Sequence, residues 1–555
     1  MRRSGRVISG LLLISVILLI SNRTFSQGAY IPPDKPKIVI GIVVEQLRFD
    51  QLEKIRDELG ENGIRKLLNE GTTFRNASYG YLLTQGAPGY ATINTGTEPA
   101  FHGIPSDNWY EPLKNELIFC TKDIRVNPVG GSFENGLHSA ANLLSTTFSD
   151  ELRLSSNRKS KAFSIGFKEY SAIFGAGHIG NAAYWFDERT GTWMTSSYYM
   201  NELPGWVNDF NALRFSDKYL SGQWDRLRDE TSYSMALPDS SVYEAGFDGR
   251  VVFPYDLNKM SMSGGLIKRR EYTLLKETPF SNSMTTDFAI RLLEQEGLGT
   301  GDQTDYLSIA YSATDYIGHR FGPSSMEAYD ALFRLDREIE QLLTWLNDKI
   351  GKKNILVYFT AAHGVSEVPA ILEANRIPAG YFRQNQAIQL LRSYLNATYG
   401  QGEWVRGYHE RQIFLNRTLI EDARIPLEEI QNKVSRFLIQ FSGVAAAYPS
   451  YAFEKDNFTN GHLRKISNSY SPLRSGDVMV ILQPGWVDRG EYVTNHNSPF
   501  DYDSHVPLIW YGWSVNRAVV NRKVNITDIA ATLSAIVRIP LPNACSGEPL
   551  PEIVR

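Results

Sequence analysis

Three stretches of the chain are apolar at nearly every position rather than at alternate ones. Lys37–Val44 reads KIVIGIVV, Tyr306–Tyr311 reads YLSIAY and Asn354–Thr360 reads NILVYFT. Runs this short, rich in β-branched side chains, read as strands buried on both faces, as in a parallel sheet. Between the second and third, Ala328, Leu332, Leu335, Ile339, Leu342 and Leu346 recur at spacings of 4, 3, 4, 3 and 4. That spacing predicts one apolar face of a helix from Ser325 to about Lys349. Strand, long helix and strand in this order form a βαβ crossover. Phe49–Leu68 is helical in character and broken by Gly60 and Gly63; Asp477–Leu482 (DVMVIL), Val506–Tyr511 (VPLIWY) and the helical Asp528–Val537 continue the pattern. The fold class is α/β, a mainly parallel central sheet covered by helices. Residues of about 187–300 and 365–475 interrupt the rhythm and read as insertions capping one end of the sheet.

Composition narrows the function classes. With 42% hydrophobic and 21% charged residues the chain is globular. Lys plus Arg number 57 against 61 Asp plus Glu, a net charge of −4, which gives no broad basic footprint for nucleic acid. Two cysteines make neither a disulfide framework nor a four-thiolate zinc site, so a metal would be held by His and carboxylates. At the start, Arg2, Arg3 and Arg6 precede an apolar run from Ile8 to Ile20 and small or polar residues around Ser26. This is the pattern of a secretory signal peptide over residues 1–26, its run being shorter than the ~20 residues of a bilayer span. No cysteine follows it to carry a lipid, and no second long apolar segment exists, so the expected mature domain, 27–555, is exported, periplasmic or extracellular, with no membrane span. An oxidising compartment would permit Cys120 and Cys545 to pair.

Ligands of open α/β sheets sit at the carboxyl ends of the strands. Glu45 follows the first run, Thr314-Asp315-Tyr316-Ile317-Gly318-His319 the second, and Ala361-Ala362-His363-Gly364 the third, while Asn495-His496 precedes a later strand. Three imidazoles and two carboxylates can therefore gather at one edge, a donor set that zinc prefers for hydrolytic work. The Asp-x3-His spacing puts Asp315 and His319 on one side of a helical turn. The aromatic group Trp185, Trp193, Tyr198, Tyr199 and Trp206 has two readings, the core of a cap or a surface for carbohydrate or protein.

Several segments resemble the alkaline phosphatase superfamily, nearest to the phosphate-irrepressible (PafA-type) alkaline phosphatases, with nucleotide pyrophosphatase/phosphodiesterases as wider relatives. They are Lys37–Asp50, Gly89–Tyr110, Gly166–His178, Thr314–Pro323, Thr360–Gly364, His496–Gly512 and the terminal stretch from Ile539 (IPLPNACSGEPLPE), in the family's order. The resemblance implies a three-layer sandwich with helices on both faces and two zinc ions that clamp a transferring phosphoryl group. It assigns the first zinc site to Asp315, His319 and His496, and leaves His505 outside the ligand set.

At the second site the chain departs from the family. The family's Asp after the first strand is Glu45, the Asp of the Asp-His pair is Ala362, and only His363 remains, a weak remnant with Glu45. The nucleophile position falls on Gly86, which has no oxygen to attack phosphorus; a register shifted by two would offer Thr84. In the phosphate clamp Lys168 is kept, but its arginine partner is Tyr170. The phosphate-binding asparagine falls on Asp107, with Asn108 beside it. These changes point to one zinc ion, a phosphate-ester or other anionic small-molecule ligand, and a catalytically impaired or inactive homologue. The alternative is an active hydrolase of phosphoric or sulfuric esters with single-metal chemistry.

Overall fold

The computed structural model describes residues 34–554, apart from 112–115, 265–267 and 456–457. The signal-peptide reading of residues 1–26 lies outside them. Among the described residues no helix is long and apolar enough to cross a membrane.

The main sheet has eleven strands: β1 (Ile38–Val44), β2 (Thr72–Ser78), β3 (Pro128–Val129), β4 (Ala162–Gly166), β5 (Ala182–Asp187), β6 (Thr192–Ser196), β7 (Asp305–Tyr311), β8 (Ile355–Ala361), β9 (His505–Gly512), β10 (Ala518–Val520) and β11 (Val524–Asn525). Their spatial order is β10-β2-β9-β8-β1-β7-β4-β5-β6-β3, with β11 also on β2. The centre, β8-β1-β7-β4-β5, is parallel throughout. Every residue of β1, β7 and β8 is buried, as their unbroken apolar runs require. Val44 pairs with both Tyr311 and Ala361, so these three strands end at one level and bring Glu45, Asp315 and His363 to a common edge.

Four helices bear on that edge: α1 (Gly86–Thr95), α2 (Glu169–Ala176), α3 (Ala313–Phe321) and α4 (Met326–Lys349). α4 is the crossover between β7 and β8. Ser325 caps it by accepting the Ala328 N–H at 3.1 Å, and the six spaced apolar residues are all buried. The Phe49–Leu68 region breaks for a reason in α4: the Asp336 carboxylate accepts the backbone N–H groups of Gly60 and Ile64, each at 2.7 Å. A Cβ at Gly63 would collide with that carboxylate.

Two apolar runs take unexpected places. Val506–Tyr511 lies in β9, which is antiparallel to both β8 and β2. Val478–Leu482 leaves the main sheet for a four-stranded antiparallel sheet, in the order Val405–His409, Gln412–Leu415, Val478–Leu482, Val444–Pro449. That sheet packs Val405, Ile413, Val478 and Val480 against Leu391, Leu395, Val434 and Leu438 of two helices, forming a core of its own. Trp185 in β5 and Trp193 in β6 are buried, and Trp193 stacks on Phe288 with ring centroids 4.4 Å apart. Trp206 packs on the same ring at 5.2 Å, and the Tyr199 hydroxyl donates to the Gly177 carbonyl, so these aromatics pack into and against the main core and offer no open platform. Cys120 and Cys545 are both free thiols.

Candidate active site

Three strand ends and one loop converge on Asp315, in the first turn of α3. Its Oδ1 lies 3.2 Å from His319 Nε2, 3.8 Å from His363 Nε2 and 3.9 Å from His496 Nε2. The remaining ring nitrogens are all engaged. His319 Nδ1 lies 3.0 Å from the Thr494 carbonyl, His363 Nδ1 2.9 Å from the Gly364 carbonyl, and His496 Nδ1 3.3 Å from Asn497 Oδ1. Carbonyl acceptors hold the proton on Nδ1 and turn the Nε2 lone pairs inward, the outer support usual around a histidine metal ligand. Burial pushes His363 down to about 4 and His496 well below the ordinary imidazole range, so both rings are neutral donors near pH 7. Burial opposes charge on Asp315, but Lys168 and His319 outweigh it and hold the carboxyl well below the usual range.

Asp315, His363 and His496 form a buried group whose ligand atoms lie within 4.8 Å of one another, an arrangement that could hold a metal ion. His319 joins them through Asp315. His363 therefore stands with the Asp315 cluster, and no described contact links it to Glu45. Gln46, at φ 58°, donates its amide to Asp315 Oδ1 at 3.1 Å. Its carbonyl end fills the place a side chain at residue 318 would need, so Gly318 is required there.

The opposite wall of the site is acidic and already paired. Glu45, fully buried, accepts from Ser312 Oγ at 3.0 Å and from the Tyr170 hydroxyl at 3.4 Å. Lys168, just before α2, places Nζ 2.5 Å from Glu45 Oε2 and 2.6 Å from Asp315 Oδ2. One ammonium thus bridges both carboxylates. Burial lifts Glu45 to about 7 against the pull of Lys168.

Gly86 opens α1. A Cβ built on it would fall 2.7 Å from Tyr170 Cζ and closer still to the Tyr170 hydroxyl oxygen. The absent side chain at 86 and the phenol at 170 are one exchange of volume. Thr84 donates its hydroxyl to the Ser498 carbonyl at 3.4 Å and makes no described contact with Glu45, Asp315 or the histidines. Ala362 continues the edge of β8 through its N–H to the Val44 carbonyl. His505 is bound to the Arg75 carbonyl and packs on Phe49, apart from the cluster.

At the mouth of α1 the Asp107 carboxylate accepts the Ala87 N–H at 2.9 Å, while the Asn108 side chain makes no described polar contact with the cluster. Burial, and then Glu410, lift Asp107 to about 7. Glu410 comes from the turn between Val405–His409 and Gln412–Leu415 of the four-stranded sheet and accepts from Gln85 Nε2 and from Asn497 Nδ2, the latter at 2.8 Å. Sequence reasoning missed Gln46, Gln85, Glu410 and Asn497. Gln46 and Asn497 adjoin named residues, which was a usable signal. Glu410 had none, lying in a turn where it and Arg411 both have positive φ.

A family model described as type I phosphodiesterase / nucleotide pyrophosphatase matches residues 39–499. The chain belongs to that family. It is 32% identical to alkaline phosphatase PafA of Elizabethkingia meningoseptica, with 97% of this chain and 98% of the relative covered. It is 36% identical to a protein named calcium-transporting ATPase from Myroides odoratus, over 94% and 95% of the two chains. The crystal structure of wild-type alkaline phosphatase PafA superposes with a TM-score of 0.89 at 32% identity, covering 94% of this chain and 99% of that one. The fold is alkaline-phosphatase-like, and the chain is a phosphoester-hydrolase family member. The described site keeps a histidine and aspartate cluster while carrying glycine, alanine and tyrosine at Gly86, Ala362 and Tyr170.

Proposed function

We propose that this protein is an exported, one-zinc member of its family that binds a phosphoester or a similar anion. In this reading turnover by a Thr or Ser hydroxyl at the start of α1 is disabled. Asp315, His319, His363 and His496 would hold the ion, which would supply Lewis-acid polarisation of the ester when bound. The supporting observation is the Lys168 ammonium between Glu45 and Asp315, at 2.5 and 2.6 Å. That internal cation meets the charge of Glu45, and Ala362 supplies no carboxylate for a second ion. Lys168 is also the group that can turn to an entering phosphoryl oxygen. Without the usual nucleophile, binding and positioning alone retain of order 10³–10⁴ over water in protease examples, far below an intact enzyme.

Metal analysis of the purified mature protein tests this reading. One zinc per chain, lost in Asp315→Ala, is the expected result; two tightly held ions would overturn it. The second reading, a slow single-metal ester hydrolase, is favoured by the inward-facing Nε2 atoms. Assays with aryl phosphate, bis-aryl phosphate and aryl sulfate separate the two, and no turnover of any ester at high protein concentration excludes the hydrolase.

A further inference from the structure

We propose that Tyr170 is the phosphoryl acceptor of this site, its phenol oxygen standing in for the hydroxyl that α1 lacks. The inference rests on the reading that a phosphoester enters this pocket. Gly86 and Tyr170 look like two independent losses in the sequence, one of a nucleophile and one of a cation. In space they are coupled, because a Cβ at residue 86 would meet Tyr170 Cζ at 2.7 Å and Cε2 at 2.8 Å, and the hydroxyl oxygen more closely still. A threonine hydroxyl lies one bond beyond its Cβ. The phenol oxygen therefore lies against the volume a side chain at residue 86 would fill, reached from α2 instead of α1.

The surroundings fix the phenol in place, while burial and then the Glu45 carboxylate push its proton affinity up, so the proton must leave to a neighbouring acceptor as the oxygen attacks. Tyr170 stands in the first turn of α2 and is 3% exposed, with its ring centroid 6.1 Å from both Tyr90 and Phe119. These rings fix the phenol, so its aim does not depend on a mobile side chain. Its hydroxyl faces Glu45 Oε2 at 3.4 Å, an acceptor for the proton that must leave. Lys168 Nζ sits on that same carboxylate oxygen and 5.7 Å from the Tyr170 ring centroid, a positive charge beside the developing anion. Of the other hydroxyls nearby, Thr84 donates to the Ser498 carbonyl and Thr314 to the Glu45 carbonyl, Ser312 donates to Glu45 Oε1, and Tyr90 is buried without a described hydrogen bond. Tyr170 is set apart from them because the three atoms nearest a Cβ at residue 86 are all its own.

The step balances without a further reactant. The Tyr170 oxygen bonds to phosphorus as its proton passes to Glu45, and the ester P–O bond breaks. The departing alkoxide takes a proton from solvent water and leaves as the alcohol, and Glu45 gives the phenol's proton up to solvent, which restores the carboxylate. The net change moves one phosphoryl group from an alcohol oxygen to a phenol oxygen. Attack by water on the phosphotyrosine then returns phosphate and the free phenol.

The experiment mixes the metal-loaded full-length mature chain with p-nitrophenyl phosphate, quenches in acid, and reads intact mass, the modified peptide and the initial nitrophenolate burst. One phosphoryl group on Tyr170 with a stoichiometric burst is expected. Tyr170→Phe, which keeps the packed ring, should lose the label and slow nitrophenolate release on the order of 100-fold. Thr84→Ala is the control, since the Thr84 hydroxyl is bound to the Ser498 carbonyl and makes no described contact with Glu45, Asp315 or the histidines; it should keep both signals. A label on any other residue, or unchanged release in Tyr170→Phe, overturns the inference. Calorimetry with inorganic phosphate separates the two readings. Phosphate binding without any phosphoenzyme sinks the Tyr170 role and leaves the proposed function standing, whereas absence of phosphate binding sinks both.

Discussion

A hydrogen at position 86 and a phenol at position 170 divide one small volume between them, and the division decides how each position responds to change. Gly86→Thr alone drives its side chain into the Tyr170 ring. We expect it to lower stability by about 1–3 kcal/mol, as overpacking does, with no gain in ester hydrolysis. Adding Tyr170→Ala should relieve the clash, so urea unfolding of the two single variants and the double variant should give a coupling energy above ~1 kcal/mol. Strictly additive effects would show that the two residues do not share that space. The sequence displayed both residues plainly, because the family resemblance draws attention to each position. It could not display their contact, since residues 86 and 170 lie on different helices and nothing in either local pattern refers to the other.

Strand ends are held by buried carboxylates that collect backbone and side-chain donors. Asp187, the last residue of β5, accepts from Ser132 N at 2.6 Å, Ser132 Oγ at 2.8 Å, Asn135 Nδ2 at 2.7 Å, Thr190 Oγ1 at 2.8 Å and Arg189 N at 3.1 Å. Burial pushes its carboxyl up, but these donors outweigh it and the folded-state pKa is depressed. A depressed carboxyl contributes stability above its unfolded value near ~3.9, and that contribution vanishes as pH falls through the folded value. Asp187→Asn should therefore cost about 1–3 kcal/mol at neutral pH by unmatching these donors. The gap to the parent protein should close as the medium is acidified below about pH 4. Thermal melts at several pH values check this; a gap that stays constant on acidification would contradict it. At this scale the apolar runs were the legible part. β1, β7, β8 and α4 lie where periodicity predicts them. What periodicity lacks is direction and partner: a fully apolar run fits β9, antiparallel in the main sheet, and Val478–Leu482, in a different sheet, equally well, because both are covered on two faces.

Across the whole molecule the four-stranded sheet reaches the candidate site through the turn between Val405–His409 and Gln412–Leu415. Arg411 is 3% exposed and donates to Asp488 Oδ2 at 3.0 Å and to the Asn497 carbonyl at 2.6 Å. Its neighbour Glu410 holds the Asn497 amide, and Asn497 Oδ1 in turn faces His496 Nδ1. Removing Arg411 takes away the ion-pair partner of Asp488 and leaves it the Tyr408 hydroxyl, which donates at 2.7 Å, so Arg411→Ala should cost about 3 kcal/mol. Asn497→Ala should leave the fold nearly intact and weaken zinc roughly tenfold through the lost support of His496, as read by competition with a coloured chelator. Equal metal affinity in Asn497→Ala would show that His496 needs no such support. No residue-level pattern joined position 410 to positions 85 and 497, because the link exists only after two separately cored sheets pack together. The Asp315, His319, His363 and His496 gathering was legible to the extent that Asp315 and His363 lie just after strands whose ends the fold aligns, with His319 one turn further along α3. His496 comes from a loop ahead of the short helix that precedes β9.

The shared volume at residues 86 and 170 also acts as a ratchet in sequence space. A lineage carrying glycine and tyrosine cannot regain a hydroxyl on α1 by one amino-acid replacement without a steric penalty, nor discard the phenol without opening a void beside Glu45. Either first step is disfavoured on its own, so the pair tends to persist by descent whether or not selection still acts on the chemistry it supports.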